Sequence, residues 1–195
     1  KKLYPDAVLV FPGSQEKTLR EFLIHSTMYV YDIAKIKNIN YDDIDTLVLV
    51  DTRQKTRIGE LAKVVDNENV KIHIYDHHPP SDNDIRGDLE FIKNTGATAT
   101  IIIHMLREKE TPITPEEATI MMLGLYEETG SFQYPSTTTD DFDAASFLLS
   151  KGANVNLVSD MLVKELTPDQ VFMLNDLISN TALYNINGIE IVITE

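Results

Sequence analysis

Cysteine is absent from this chain, which excludes a disulfide framework and thiol chemistry. No apolar run approaches the roughly 20 residues needed to span a bilayer, and no secretory signal pattern is present. A membrane partner is therefore not expected, and a cytoplasmic location is the default. Basic residues are scarce: 17 Lys and Arg stand against 31 Asp and Glu, a formal charge of −14. So acidic a surface repels long nucleic acid, whose binding is dominated by phosphate contacts. It leaves room for a short nucleotide held at a metal centre, because a bound cation inverts the local field. It also serves solubility alone. What remains is ample for a core: 195 residues, 43% of them hydrophobic, suffice for one sizeable domain.

The most informative stretch is Tyr75-Asp76-His77-His78-Pro79. It follows Val70-Lys71-Ile72-His73-Ile74, whose alternation predicts a strand over Lys71–Tyr75. Open parallel sheets place ligand chemistry at such strand ends. Imidazole nitrogens and carboxylate oxygens are the usual ligands of manganese, zinc and similar cations. Taken alone, His77-His78 fits equally a solvated loop or a helix cap. A second run, Thr46-Leu47-Val48-Leu49-Val50, is nearly continuous in apolar residues, as expected of a strand buried on both faces. It ends in Asp51. Between the two strands, Ile58–Val65 has helical spacing, which makes one strand–helix–strand unit with parallel strands. Asp51 and Asp76 should then leave the same sheet edge. Arg53, Lys55 and Arg57 follow Asp51 in one loop; they are solvated or they receive a phosphate, with Arg57 the stronger candidate.

A third acidic cluster is Gly124-Leu125-Tyr126-Glu127-Glu128-Thr129-Gly130-Ser131-Phe132. It closes a helix that starts with Thr114 as N-cap, Pro115 in the first turn and Glu117 as capping-box partner; taken alone, it is a helix end with a glycine stop. Further helices are predicted over Ser14–His25, Thr95–Glu108, Thr139–Ser150, Val155–Leu162 and Pro168–Asn180, with short strands at Ala7–Phe11 and Met28–Tyr31. Asn187-Gly188 between apolar alternating runs is a hairpin signature. This alternation predicts an α/β fold: an open, mainly parallel sheet flanked by helices, with a helical C-terminal part. Pro79–Asp84 reads as a polar loop and a candidate mobile element. His25, His73 and His104 need no role beyond structure.

Asp51 after a strand, then Asp76-His77-His78, then Gly-Leu-Tyr-Glu-Glu-Thr-Gly-Ser-Phe, resembles the DHH phosphoesterase superfamily. Its members include exonucleases, cyclic-dinucleotide phosphodiesterases, exopolyphosphatases and family II inorganic pyrophosphatases. With Leu49-Val50-Asp51-Thr52-Arg53-Gln54, Gly96-Ala97-Thr98-Ala99-Thr100 and Pro135-Ser136-Thr137-Thr138, the likeness narrows to DHH modules fused to CBS domains and a tRNA nucleotidyltransferase/poly(A)-polymerase-like region. The resemblance implies two-metal hydrolysis of a phosphodiester or phosphoanhydride, in a short oligonucleotide, cyclic dinucleotide or polyphosphate. It implies metal ligation by Asp51, His77 and Glu128, and a substrate-phosphate contact from His78. Asp76 would orient the imidazoles, and Arg57 and Arg53 would meet the phosphate. Manganese is the expected metal, with magnesium the alternative.

Two departures qualify the likeness. The family has Asp where this chain has Glu128, a displacement of about 1.5 Å if the backbone is kept. The family's first motif, His-x-x-x-Asp-x-Asp, is not found in the sequence. The expectation is therefore a piece of a longer protein: a DHH domain over 1–165 without its first strand, a connecting helix over 166–181 and the start of a second domain over 182–195. The isolated piece is expected to be inactive. The alternative is a non-catalytic regulatory or RNA-positioning domain of a tRNA nucleotidyltransferase-like protein.

Overall fold

The computed structural model describes residues 1–11, 33–162 and 166–194. The helix expected over Ser14–His25 and the strand over Met28–Tyr31 lie outside them. The chain divides into two compact units, Lys1–Val158 and Ser159–Glu195.

In the first unit, β3 (Thr46–Val50), β4 (Lys71–Asp76) and β5 (Leu89–Ile92) form a parallel sheet in that order. Val50 pairs with Tyr75, and Asp76 with Ile92. A smaller parallel pair joins β1 (Leu9–Val10) to β2 (Ile33–Ala34). The α/β class expected from sequence is the class observed. One face of the main sheet carries Leu47, Leu49, Ile72 and Ile74, which pack with Ile58, Leu61, Val64, Val70 and Ile85 into the core. Each such buried side chain contributes about 1.5–3 kcal/mol through removal of apolar surface from water. The opposite face of β4 holds His73 and Tyr75. The Tyr4 hydroxyl lies 2.7 Å from both His73 Nδ1 and the Tyr75 hydroxyl, and Tyr75 stacks on Phe91.

Two local expectations are corrected. Among the described residues β3 is an edge strand of its sheet, not buried on both faces, and Val50 is 53% exposed. Ile58–Val65 is not an α-helix but 3₁₀ structure over Gly59–Lys63. Gly59 has φ of 57°, outside the helical region. Ile58, Leu61 and Val64 then recur at three residues per turn and share one buried face. Strand β5 adds to the strands expected from sequence, paired to β4.

Four helices follow in this unit: α1 (Thr98–Glu108), α2 (Pro115–Glu128), α3 (Thr139–Ser150) and α4 (Val155–Leu162), whose end belongs to the second unit. α1 contacts β4, α2 and α3. α2 opens with the expected capping box of Thr114 and Glu117. α3 stops at Gly152, whose φ of 91° suits the left-handed position after a helix.

The second unit contains α5 (Pro168–Ser179), capped by Thr167 and Gln170, and the antiparallel hairpin β6 (Ala182–Ile186)–β7 (Ile189–Ile193). Asn187 and Gly188 both have positive φ, as the two-residue turn requires.

Candidate metal centre

Asp51 leaves β3 in the left-handed region, with φ of 63°. Asp tolerates this better than most residues. Its backbone N–H donates to Tyr75 O at 2.9 Å, so the strand end stays tied to β4 as the side chain turns outward. The carboxylate does not hang free: Thr98 Oγ1 donates to Asp51 Oδ1 at 2.7 Å.

His77 follows β4 directly. Its Nδ1 lies 2.9 Å from the Thr95 carbonyl, so Nδ1 donates there, and in the neutral ring the lone pair is on Nε2. That Nε2 is buried and has no hydrogen-bond partner among the described residues. It lies 3.5 Å from Asp51 Oδ1 and 3.7 Å from Glu128 Oε2. A buried imidazole nitrogen that faces two carboxylates, with its other nitrogen fixed on a carbonyl, is the arrangement of a metal-ligating histidine. Asp51, His77 and His78 each offer a ligand atom within 4.8 Å of one another. The residues present therefore fit a divalent cation. Glu128, at the end of α2, brings Oε2 to 3.7 Å from His77 Nε2 but is not one of the three residues whose ligand atoms converge within 4.8 Å. Burial, reinforced by the Asp51 charge, raises its carboxyl above the usual range; a cation would reverse that shift.

Asp76 stands behind this group. It is 1% exposed, and its Oδ1 lies 2.7 Å from His78 Nδ1. Burial alone would raise its pKa, but hydrogen bonds from His78 and Arg53 prevail and hold it below the usual carboxylate range.

Arg53 is not where an incoming phosphate would meet it, contrary to the sequence expectation. It is 3% exposed. Its Nε donates to Asp76 Oδ2 at 2.8 Å, and its Nη1 lies 3.3 Å from Asp84. Its Nη2 donates to the carbonyls of His78 and Pro79 at 2.6 and 3.0 Å. A guanidinium presents a rigid fork of donors, and here that fork binds the loop after His77-His78 to β4. The loop read as mobile is thus tied at both ends, since Ile85 N also donates to Arg53 O at 2.7 Å. Arg57 is exposed at the end of a 3₁₀ turn.

Sequence reasoning assigned no role to Thr95 or Thr98, which hold His77 and Asp51 from the start of α1. The signal available was Gly96-Ala97-Thr98-Ala99-Thr100: a helix start whose N-cap, Ala97, has no side-chain acceptor.

The chain is 45% identical over 192 residues to an A-adding tRNA nucleotidyltransferase of Geobacter sulfurreducens, covering 98% of this chain and 22% of that protein. It is 34% identical over 150 residues to a cyclic-di-AMP phosphodiesterase of Bacillus subtilis, covering 75% of this chain and 22% of the relative. A probable manganese-dependent inorganic pyrophosphatase of Staphylococcus epidermidis is 32% identical over 112 residues, 57% of this chain and 35% of that one. The chain thus spans between a fifth and about a third of the length of these relatives. Among solved structures, an exopolyphosphatase-related protein of Bacteroides fragilis superposes with a TM-score of 0.70 at 19% identity, covering 90% of this chain and 52% of that one, a likeness of fold. The family model for the DHH family, N-terminal domain, matches residues 4–125, which include Asp51 and the Asp76-His77-His78 tripeptide. With that match over most of the first unit, the chain belongs to the DHH family.

Proposed function

We propose that this chain carries part of the divalent-metal centre of a phosphoesterase, within a longer tRNA nucleotidyltransferase-related protein. Asp51, His77 and Glu128 ligate the metal, manganese before magnesium. His78, held by Asp76, contacts the substrate phosphate, and Arg57 provides a second positive contact. The metal supplies Lewis-acid polarisation of a phosphoryl group. The protein's part is to fix the ligands and to neutralise the phosphate charge from His78 and Arg57. The substrate class is a phosphodiester or phosphoanhydride: a short RNA, a cyclic dinucleotide or a polyphosphate. The names of the phosphodiesterase and pyrophosphatase relatives support that class. CBS and nucleotidyltransferase-like domains are the expected neighbours in the longer protein. Among the described residues no helix is long and apolar enough to cross a membrane.

The observation that carries this reading is the buried Nε2 of His77 between two carboxylates, without a hydrogen-bond partner among the described residues. Manganese titration of the chain by calorimetry tests it. Weak binding is expected, abolished by Asp51→Ala and by His77→Ala. Binding that survives both substitutions would place the ion elsewhere.

The second reading, a non-catalytic regulatory or RNA-positioning domain, rests on Glu128 standing where the family has Asp. Its approach to within 3.7 Å of His77 weakens that argument. Full-length protein that binds manganese yet hydrolyses none of the named substrate classes would favour it.

A further inference from the structure

Asp141 is a wholly buried carboxylate outside the candidate centre. Four groups donate to it: Thr100 Oγ1 to Oδ1 at 2.5 Å, and Gly96 N, Thr138 N and Thr138 Oγ1 to Oδ2 at 2.8, 2.7 and 2.8 Å. All four donors are neutral, and among the described residues Asp141 makes no ion pair. Its surroundings suit a negative charge nonetheless. The carboxylate lies between the N-termini of α1 and α3, where helix dipoles present positive ends. It closes both: it caps Thr138 at the start of α3, and it takes the Gly96 amide and the Thr100 hydroxyl at the start of α1, which Ala97 cannot cap. The fit is close, because a Cβ on Gly96 would stand 2.6 Å from Asp141 Oδ2.

The turn that Asp141 grips is the one that aims the centre. Thr95, Gly96, Ala97, Thr98 and Thr100 are all buried. Thr95 O accepts from His77 Nδ1, and Thr98 Oγ1 donates to Asp51 Oδ1. Gly96 and Thr100, the two residues of this turn held by Asp141, bracket Thr98, and Gly96 adjoins Thr95. One helix start thus links a buried anion on α3 to two of the three proposed ligands.

We propose that Asp141 is a positioning residue for the metal centre, acting through the Thr95–Thr100 turn that orients His77 and Asp51. The proposal rests on the metal reading of that centre. Loss of the anion frees the turn, the two ligands no longer hold one geometry, and metal affinity falls beyond what any loss of fold explains. Partners that orient a ligand typically contribute tenfold to a hundredfold in metal affinity.

The test measures Mn2+ affinity of the 195-residue chain by electron paramagnetic resonance of free Mn2+, at a temperature where urea curves show every variant folded. Five variants are compared with wild type: Asp51→Ala, Asp141→Asn, Thr98→Val, the Asp141→Asn/Thr98→Val double, and Leu148→Ala. The last removes core packing from α3 two turns beyond Asp141. Asp141→Asn and Thr98→Val should each weaken binding by about tenfold or more. The double should be no worse than about the weaker single, because both act through one element. Leu148→Ala should lose stability and keep affinity. Wild-type affinity in Asp141→Asn, an equal loss in Leu148→Ala, or full additivity in the double overturns the proposal and leaves the metal reading standing. Wild-type protein that binds no Mn2+, or binding that survives Asp51→Ala, removes the metal reading and this proposal with it.

Discussion

The guanidinium of Arg53 and the carboxylate of Asp76 form a 2.8 Å ion pair in which both side chains are almost wholly buried. The pair joins the loop after β3 to the end of β4, and Asp76 passes the restraint to His78 through a 2.7 Å hydrogen bond. Breaking a buried pair from one side leaves an uncompensated charge, at a cost of about 3–5 kcal/mol. Arg53→Ala should therefore destabilise the protein by about that amount in urea unfolding. Arg53→Lys should recover only part of it, since one ammonium cannot serve Asp76, Asp84 and two carbonyls. A loss below about 1 kcal/mol in Arg53→Ala would place it in the ordinary range for a point substitution and show that the loop holds without the pair.

Acid should unfold the protein through Asp76 and Asp141. Both carboxyls are held below their ordinary value of 3.8 by hydrogen bonds that prevail over burial. A group whose folded pKa is depressed contributes stability above its unfolded pKa, and that stability is lost as pH falls through the folded pKa. The contribution of these two groups should thus be nearly flat from neutral pH to about pH 5 and fall steeply from about pH 4 downward. Asp76→Asn should lower stability at neutral pH and flatten the acid limb. Urea midpoints measured across this range give both quantities, and an unchanged acid limb in Asp76→Asn would remove Asp76 from the account.

Glu128 carries the opposite sign. Burial first, and then the Asp51 charge, raise its carboxyl above 4.5. In metal-free protein the folded state therefore holds the proton longer than the unfolded chain does, and stability falls as pH rises from 4.5 through the folded value. Glu128→Gln should stabilise the metal-free protein at neutral pH. The gain should not exceed about 1 kcal/mol, because the side chain is 43% exposed and solvent screens it. The same substitution should weaken manganese binding. Thermal melts with and without Mn2+ separate the two effects; a destabilised metal-free Glu128→Gln protein would show that the carboxylate has a structural partner instead.

What the sequence made legible was set by local chemistry. Asp51 and Asp76 could be placed on one sheet edge because each follows an apolar run, and the observed Val50–Tyr75 pairing puts them there. The capping box at Thr114 and the Asn187-Gly188 turn are written within a few residues. The missed features depend on distant partners. Arg53, Lys55 and Arg57 look alike in one loop; only the position of Asp76 and Asp84 decides that Arg53 is buried and Arg57 exposed. Leu89–Ile92 is short and partly exposed, and becomes a strand because β4 offers it a ladder. Thr98 reaches Asp51 across 47 residues, and Asp141 reaches Gly96 across 45. No spacing rule connects such pairs.

Activity should separate the chain from the longer protein proposed above. Among the described residues, Asp51, His77 and His78 form the one group able to offer three ligand atoms to a metal. Two-metal phosphoryl chemistry needs further ligands and a surface that holds the leaving group, and most of its rate comes from positioning and charge stabilisation. With Mn2+ alone the 195-residue chain should therefore leave short RNA, cyclic dinucleotides and pyrophosphate intact. Joined to the segments that make up the rest of its longer relatives, it should hydrolyse one of these classes. There, Asp51→Ala or His77→Ala should lower kcat by at least about a hundredfold, with the fold intact by circular dichroism. Glu128→Asp should retain activity, because the shorter carboxylate can still meet a metal bound by His77. Hydrolysis by the isolated chain would show that its own residues complete the centre. Full-length protein whose rate is indifferent to Asp51→Ala would place the chemistry outside it.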